Sequence, residues 1–174
     1  MEGRIQVYTG CGKGKTTAAI GLAVRAACSG MSVFFGQFMK GRDYSELCLQ
    51  DRFPDEIRME QFGTPRLICK GEKPRSEDLK KVSQGLARLR EAMLSGDYDL
   101  VVADEINVTV HMGLLNEEKV LSLIRARPSD VELVLTGRYA PDSFIEAADL
   151  VTDMKEIKHY YRTMGLRARK GIES

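Results

Sequence analysis

The sequence predicts an α/β fold: a mostly parallel, twisted sheet of about six strands with helices on both faces, in one domain spanning residues 1–174. Three observations predict it. Short apolar runs alternate with helix-length segments from end to end. Strand two, Val33 to Phe38, is nearly continuous in apolar residues, as a parallel strand buried on both faces is. The first run also leads through a glycine-rich turn, Gly10-Cys11-Gly12-Lys13-Gly14-Lys15-Thr16-Thr17, into an alanine-rich stretch, which is the strand–turn–helix context of a phosphate-binding loop.

Taken in order, the first strand is Ile5 to Thr9, and the first helix runs from about Thr16 to Ser29, apolar nearly all round, with Gly30 closing it. Strand two is Val33 to Phe38, ending in Gln37-Phe38-Met39-Lys40-Gly41, which places polar and cationic groups on the sheet edge where ligands bind. A short helix over Tyr44 to Gln50 and a weaker strand over Ile57 to Phe62 follow, then an irregular segment from Gly63 to Pro74 that mixes cationic and apolar residues. Ser76 reads as an N-cap, and Leu79, Val82, Leu86, Leu89 and Met93 form a core-facing stripe at helical spacing. Tyr98 to Glu105 is a strand ending in two carboxylates and is expected to lie beside strand one. A helix over Glu118 to Arg127, a strand over Val131 to Thr136, a helix over Pro141 to Ala148 and a strand over Leu150 to Met154 complete the pattern. The basic tail, 155–171, reads either as a solvated face or as a segment that closes over an anion.

Composition narrows the function. A net charge of +1 gives no global field to draw the chain to nucleic acid or to an anionic membrane, so neither is an expected partner. The four cysteines, Cys11, Cys28, Cys48 and Cys69, form no C-x-x-C pair, and there are only two histidines, so neither a structural zinc nor a disulfide framework is expected. No apolar stretch approaches the roughly 20 residues that span a bilayer. No cationic-then-apolar leader precedes the first strand, and the cytoplasm is the expected compartment.

The loop supplies the chemistry. Its glycines let backbone N–H groups approach a polyphosphate, and the helix N-terminus adds partial positive charge. Lys15 would reach phosphate oxygens and Thr16 would sit on a magnesium ion, with Asp104 and Glu105 as the acidic side of the same site. Thr9 stands where the G-x-x-x-x-G-K-[ST] pattern has glycine, and Lys13 adds a second cation inside the loop. Arg138, just beyond a strand end, could reach phosphates from across the cleft, with a structural salt bridge as the competing reading. These features indicate a nucleoside triphosphate without saying which bond breaks; a small kinase or an ATPase, with Glu105 orienting the nucleophile, is the alternative reading.

Several separate motifs, in order, go further: Tyr8-Thr9-Gly10-x-Gly12-Lys13-Gly14-Lys15-Thr16-Thr17-Ala18-Ala19, Gln37-Phe38-x-Lys40-Gly41, Val102-x-Asp104-Glu105, Leu135-Thr136-Gly137-Arg138, Glu156-Ile157-Lys158-His159 and Ala168-x-x-Gly171-Ile172. Together, over about residues 4–173, they resemble the ATP:corrinoid adenosyltransferases of the CobA type. The resemblance implies a RecA-like P-loop fold, usually homodimeric. It implies transfer of the 5′-deoxyadenosyl group of ATP to the cobalt(I) of a reduced corrinoid with release of triphosphate, ATP lying reversed in the loop, and an electron-donating flavoprotein as partner. Carried over by position, Thr9, Gly10, Cys11, Gly12, Lys13, Gly14, Lys15, Thr16, Thr17, Arg25 and Arg138 would hold the nucleotide. Lys15, Thr16 and Glu105 would serve catalysis, and Thr16, Asp104 and Glu105 would hold magnesium, or manganese in its place. A surface salt bridge is the competing reading for Arg25.

Two departures from the family pattern stand out. Aromatic residues that family members place after the Gly63-Thr64 equivalent, as wedges beneath cobalt, are Arg66 and Ile68 here, so the wedge is expected elsewhere, such as Phe62, or the corrinoid lacks a strongly held lower base. Some members carry an N-terminal extension over the corrinoid; this chain starts at strand one, and a more open substrate side is expected. Cys69 reads as a plain loop cysteine, with contact to cobalt as the alternative.

Overall fold

A computed structural model describes residues 2–66, 68 and 72–173. Leu67, Cys69, Lys70 and Gly71 of the irregular segment lie outside the described residues, and with them any role for Cys69. The strands are β1 (Ile5–Thr9), β2 (Val33–Phe38), β3 (Ile57–Phe62), β4 (Leu100–Asp104), β5 (Glu132–Thr136) and β6 (Leu150–Asp153). They form one sheet in the order β3-β2-β4-β5-β1-β6, and every paired neighbour is parallel. β4 is therefore not beside β1, as the sequence suggested; β5 lies between them. An apolar run shows that a strand is central, but nothing local in it selects its neighbour.

The inner strands β2, β4 and β5 are buried because they are largely apolar at successive positions, and their side chains part to opposite faces with a period of two, whereas the edge strand β6 is exposed. On one face Phe34, Val101, Leu133 and Leu135 pack in a cluster with residues of the helices α3 (Ser76–Leu94), α4 (Ile106–His111), α5 (Glu117–Arg125) and α6 (Asp142–Ala147). On the other, Phe35, Val102 and Val134 meet Ala19, Ala23, Ala26 and Ala27 of α1 (Lys15–Cys28), whose small side chains let the helix sit close to the sheet. Gly36 of β2 leaves room for α3: a Cβ there would stand 2.9 Å from both Leu89 and Phe62. Each fully buried Phe or Leu contributes about 1.5–3 kcal/mol.

Three local readings are corrected. The predicted helix over Tyr44 to Gln50 is a 3₁₀ turn, Ser45–Cys48, running into a single turn of α-helix, α2 (Leu49–Arg52). The N-cap of α3 is Arg75, not Ser76, because Asp78 reaches back and accepts the Arg75 N–H at 2.9 Å. The stripe on α3 keeps Val82, Leu89 and Met93 in the core, but Leu79 is exposed, and Gly85 and Ala92 complete the seam. Asp78 takes the inner position of that first turn: Thr64 and Arg66 bond it at 2.7 and 3.0 Å. Burial pushes the Asp78 carboxyl up, yet the bonds from Thr64, the Arg75 backbone and Arg66 outweigh it and leave it below the usual range.

Two short helices had no sequence signal strong enough to be read: α4, which follows Glu105 directly, and α7 (Tyr160–Met164) in the basic tail. Among the described residues no helix is long and apolar enough to cross a membrane.

Candidate nucleotide site

All six strands point the same way, so their carboxyl ends meet on one edge, where open α/β sheets bind ligands. The loop after β1 sits there. Gly10 and Gly14 have φ of 96° and 119°, values that side chains rarely adopt, and Gly14 caps α1. Gly12 is required for another reason. The chain leaving β6 crosses behind the loop, the Gly12 N–H donates to Met154 O at 2.6 Å, and a Cβ on Gly12 would meet that same oxygen. Lys15 opens α1 and turns its ammonium back over the loop, donating to Gly10 O and Gly12 O at 2.7 Å each. Thr9 has a role of its own: its hydroxyl accepts the Ala140 N–H at 3.2 Å, tying the loop to the segment after β5.

Asp104, at the end of β4, is fully buried and accepts four hydrogen bonds. Thr16 and Thr136 donate to Oδ1 at 2.9 and 2.7 Å; Lys40 and Gln37 donate to Oδ2 at 3.0 and 3.4 Å. Strand register makes this possible, since Gln37 lies opposite Asp104 and Ala103 lies opposite Leu135, one residue before Thr136. Glu105 follows in a left-handed conformation, φ 61°, that only a few non-glycine residues adopt. Its N–H donates to Thr136 Oγ1 at 3.0 Å, which holds the turn. Sequence reasoning placed Lys40 and Gln37 on the binding edge but gave them no role, and gave none to Thr136. The available signal was a polar residue at the end of an otherwise apolar strand.

The electrostatics follow from crowding these charges into a partly dry cleft. Burial, and then the neighbouring Asp104, push the Glu105 carboxyl above its ordinary range, against the pull of Lys40, Lys15 and Arg138. Burial lowers the Lys15 ammonium, partly offset by Glu105. For Lys40 burial acts downward, but Asp104 and Glu46 outweigh it and leave it above its ordinary value.

The cleft encloses about 520 Å³. The loop from Gly12 to Thr17 lines it, together with Lys40, Glu46, Glu105 and Arg138. The tail returns to it: His159, Gly171, Ile172 and Glu173 line the rim. Arg169 holds that rim by bonding Glu173 at 3.0 Å, and Tyr160 also bonds Glu173. Those bonds, Arg169 first, hold the Glu173 carboxyl down to about 2.

The residues suit a magnesium-bound polyphosphate. Thr16 Oγ1 and a buried carboxylate stand within hydrogen-bond distance of each other, with a second carboxylate, Glu105, facing the same space. Among the described residues no three His, Cys, Asp or Glu side chains gather into a metal cage. Thr16, Asp104 and Glu105 offer oxygen donors of the kind a small hard cation takes.

Comparison with known proteins decides among the enzymes such a cleft could serve. The family described as "ATP:corrinoid adenosyltransferase BtuR/CobO/CobP" matches residues 1–174. This chain belongs to that family of corrinoid adenosyltransferases. It is 36% identical over 173 residues to the corrinoid adenosyltransferase of Pseudomonas aeruginosa, covering 99% of this chain and 84% of the relative. It is 33% identical over 173 residues to the corrinoid adenosyltransferase CobA of Salmonella typhimurium, covering 99% and 86%. In fold it is similar to a KaiC-like protein of Pyrococcus horikoshii OT3, with a TM-score of 0.56 at 16% identity, over 90% of this chain and 75% of that one. The expected RecA-like P-loop architecture is thus the one this adenosyltransferase adopts.

Within the adenosyltransferase cleft the structure brings together Gly12, Lys13, Gly14, Lys15, Thr16, Thr17, Glu105 and Arg138. Asp104 lies beneath, reached through Thr16. Thr9 and Gly10 shape the loop from behind, and Cys11 is an exposed thiol on it. Arg25 is not brought to the cleft: it is exposed on the last turn of α1, and its charge acts on Tyr8. Phe62 is unavailable as a wedge, because it is buried against Phe38, with ring centroids 5.3 Å apart, and fills the space over Gly85. Arg66 is committed to Asp78 and Glu72, and Ile68 packs against the core.

Proposed function

We propose that this corrinoid adenosyltransferase displaces triphosphate from the 5′ carbon of ATP with a cobalt(I) nucleophile. Cobalt(I) of the reduced corrinoid donates an electron pair to C5′. A cobalt–carbon bond forms, the C5′–O bond breaks, and triphosphate leaves with the bonding pair. The metal becomes formally cobalt(III). The substrate supplies a strong nucleophile, so the protein's work is placement and stabilisation of the charge on the leaving group.

The observation that carries this reading is the convergence of Lys13, Lys15 and Arg138 on one cleft. They suit a grip on a whole triphosphate better than activation of a water at its end. Thr16, Asp104 and Glu105 would hold magnesium, or manganese, with Asp104 also fixing the Thr16 hydroxyl; the ion would add Lewis-acid stabilisation of the phosphates. An electron-donating flavoprotein would supply cobalt(I), and the enzyme would work as a cytoplasmic homodimer.

The test is incubation with ATP, magnesium and a chemically reduced corrinoid. Adenosylated corrinoid and tripolyphosphate in equal amounts are expected. ADP or free phosphate as the initial product would overturn the reading in favour of phosphoryl transfer.

A further inference from the structure

We propose that Lys40 is a built-in counter-ion, holding the cation position on Asp104 while the cleft lacks nucleotide and moving to the triphosphate when magnesium and nucleotide enter. This rests on reading the cleft as a triphosphate site and adds a leaving-group contact to it.

Asp104 offers about four acceptor positions, and four donors fill them. A divalent ion approaching that carboxylate must displace one donor. Thr16 and Thr136 hold Oδ1 through hydroxyls that also build the site. On Oδ2, Gln37 bonds at a marginal 3.4 Å, and Lys40 at 3.0 Å carries the one positive charge. That charge is what an arriving magnesium ion repels and a triphosphate attracts.

The surroundings fix the Lys40 backbone and leave its head free to choose. Met39 is left-handed, φ 56°, a strained conformation for a side-chain-bearing residue that persists only where neighbours impose it. The neighbours are visible: a Cβ on Gly63 would stand 2.5 Å from Lys40 N, and a Cβ on Gly41 would stand 2.6 Å from Gly63 O. The ends of β2 and β3 are therefore locked together. Beyond the backbone is a flexible four-carbon stem. Its ammonium lies between Asp104 and Glu46, 3.3 Å from the latter, and 5.0 Å above the ring centroid of Tyr44, on the wall of the cleft.

The experiment titrates wild type and Lys40→Met with inorganic tripolyphosphate plus magnesium, and separately with manganese alone, followed by its spin resonance. The variant is expected to bind tripolyphosphate about tenfold or more weakly and manganese several-fold more tightly, because one charge-assisted contact is lost and one carboxylate position is freed. Shifts in the same direction, or none, would overturn the role of Lys40 and leave it a structural ion pair. Wild type that binds no tripolyphosphate would overturn the site reading itself. If Lys40→Met does not fold, Glu46→Gln serves: loosening one tether should tighten tripolyphosphate binding several-fold, and unchanged or weaker binding would contradict the proposal.

Discussion

Thr16 and Asp104 are 88 positions apart in the chain, and their side chains meet at 2.9 Å, the Thr16 hydroxyl donating to Oδ1 of the buried carboxylate. Thr16 lies in the first turn of the helix that follows β1 and the phosphate loop, and Asp104 ends β4, two places from β1 in the sheet. Thr136, at the end of the intervening strand, donates to the same oxygen at 2.7 Å. Three elements are thus tied at a single atom.

That junction sets the first prediction. Thr136→Val leaves the Glu105 N–H without its acceptor and Asp104 Oδ1 with one donor fewer. The loss should be about 2 kcal/mol, or roughly 4–8 °C in melting temperature. Thr136→Ser should restore most of it. Thermal denaturation of both variants checks this; a valine variant as stable as wild type would contradict it.

Glu105 should oppose stability and favour activity. Burial and Asp104 raise its pKa, so holding it ionised weakens the fold. That penalty is absent below the ordinary carboxylate value of 4.5, grows as pH rises from there toward the raised value, and is complete above it. Glu105→Gln should therefore melt higher than wild type at about pH 8, and no higher at about pH 4, without nucleotide. Its magnesium dependence in turnover should weaken at the same time. Paired melts at the two pH values and a magnesium titration read both effects.

Lys15 holds the loop through two carbonyls at 2.7 Å and faces the cleft. Lys15→Ala should lower turnover by about 100-fold or more, through loss of a preorganised cation at the leaving group. Folding should be retained, because the sheet core does not involve this residue. Steady-state release of tripolyphosphate, beside a circular-dichroism melt, separates the two effects.

The tail should come away from the cleft when Arg169 is removed. Arg169 bonds Glu173 through its backbone N–H at 2.8 Å and through its guanidinium at 3.0 Å. Arg169→Ala should raise amide hydrogen exchange across 160–173 and leave β1 to β5 unchanged. In wild type the contact is complete above the ordinary carboxylate value of 4.5 and is lost as pH falls toward about 2, since the Glu173 pKa is depressed. Exchange measured at neutral pH in both proteins tests the first statement, and a low-pH series tests the second.

Legibility in the sequence divided along physical lines. Elements fixed by local pattern were readable: β1 and β2 occupy the expected residues, because apolar runs bounded by glycine and polar turns leave little choice, and the weaker signal of β3 also gave its bounds. The loop was readable because its chemistry is contiguous. Strand order was not, since β5 enters between β4 and β1 through contacts made far along the chain. The exposure of Leu79 was hidden because apolar spacing shows a stripe but not where the helix overhangs the sheet. Thr136, Gln37 and Lys40 acquire their roles only when separate strand ends converge on Asp104. Phe62 looked available from its position in the chain, but it fills the hollow over Gly85.

The most direct test of the central claim follows the atom at which ATP breaks. ATP carrying oxygen-18 in the bridge between C5′ and the α-phosphorus is incubated with the enzyme, magnesium and reduced corrinoid, and the products are separated by mass. Carbon–oxygen cleavage predicts that all of the label leaves in tripolyphosphate, while the corrinoid gains an adenosyl group without it. Label retained on the adenosine side, with the terminal phosphate released, would contradict the account.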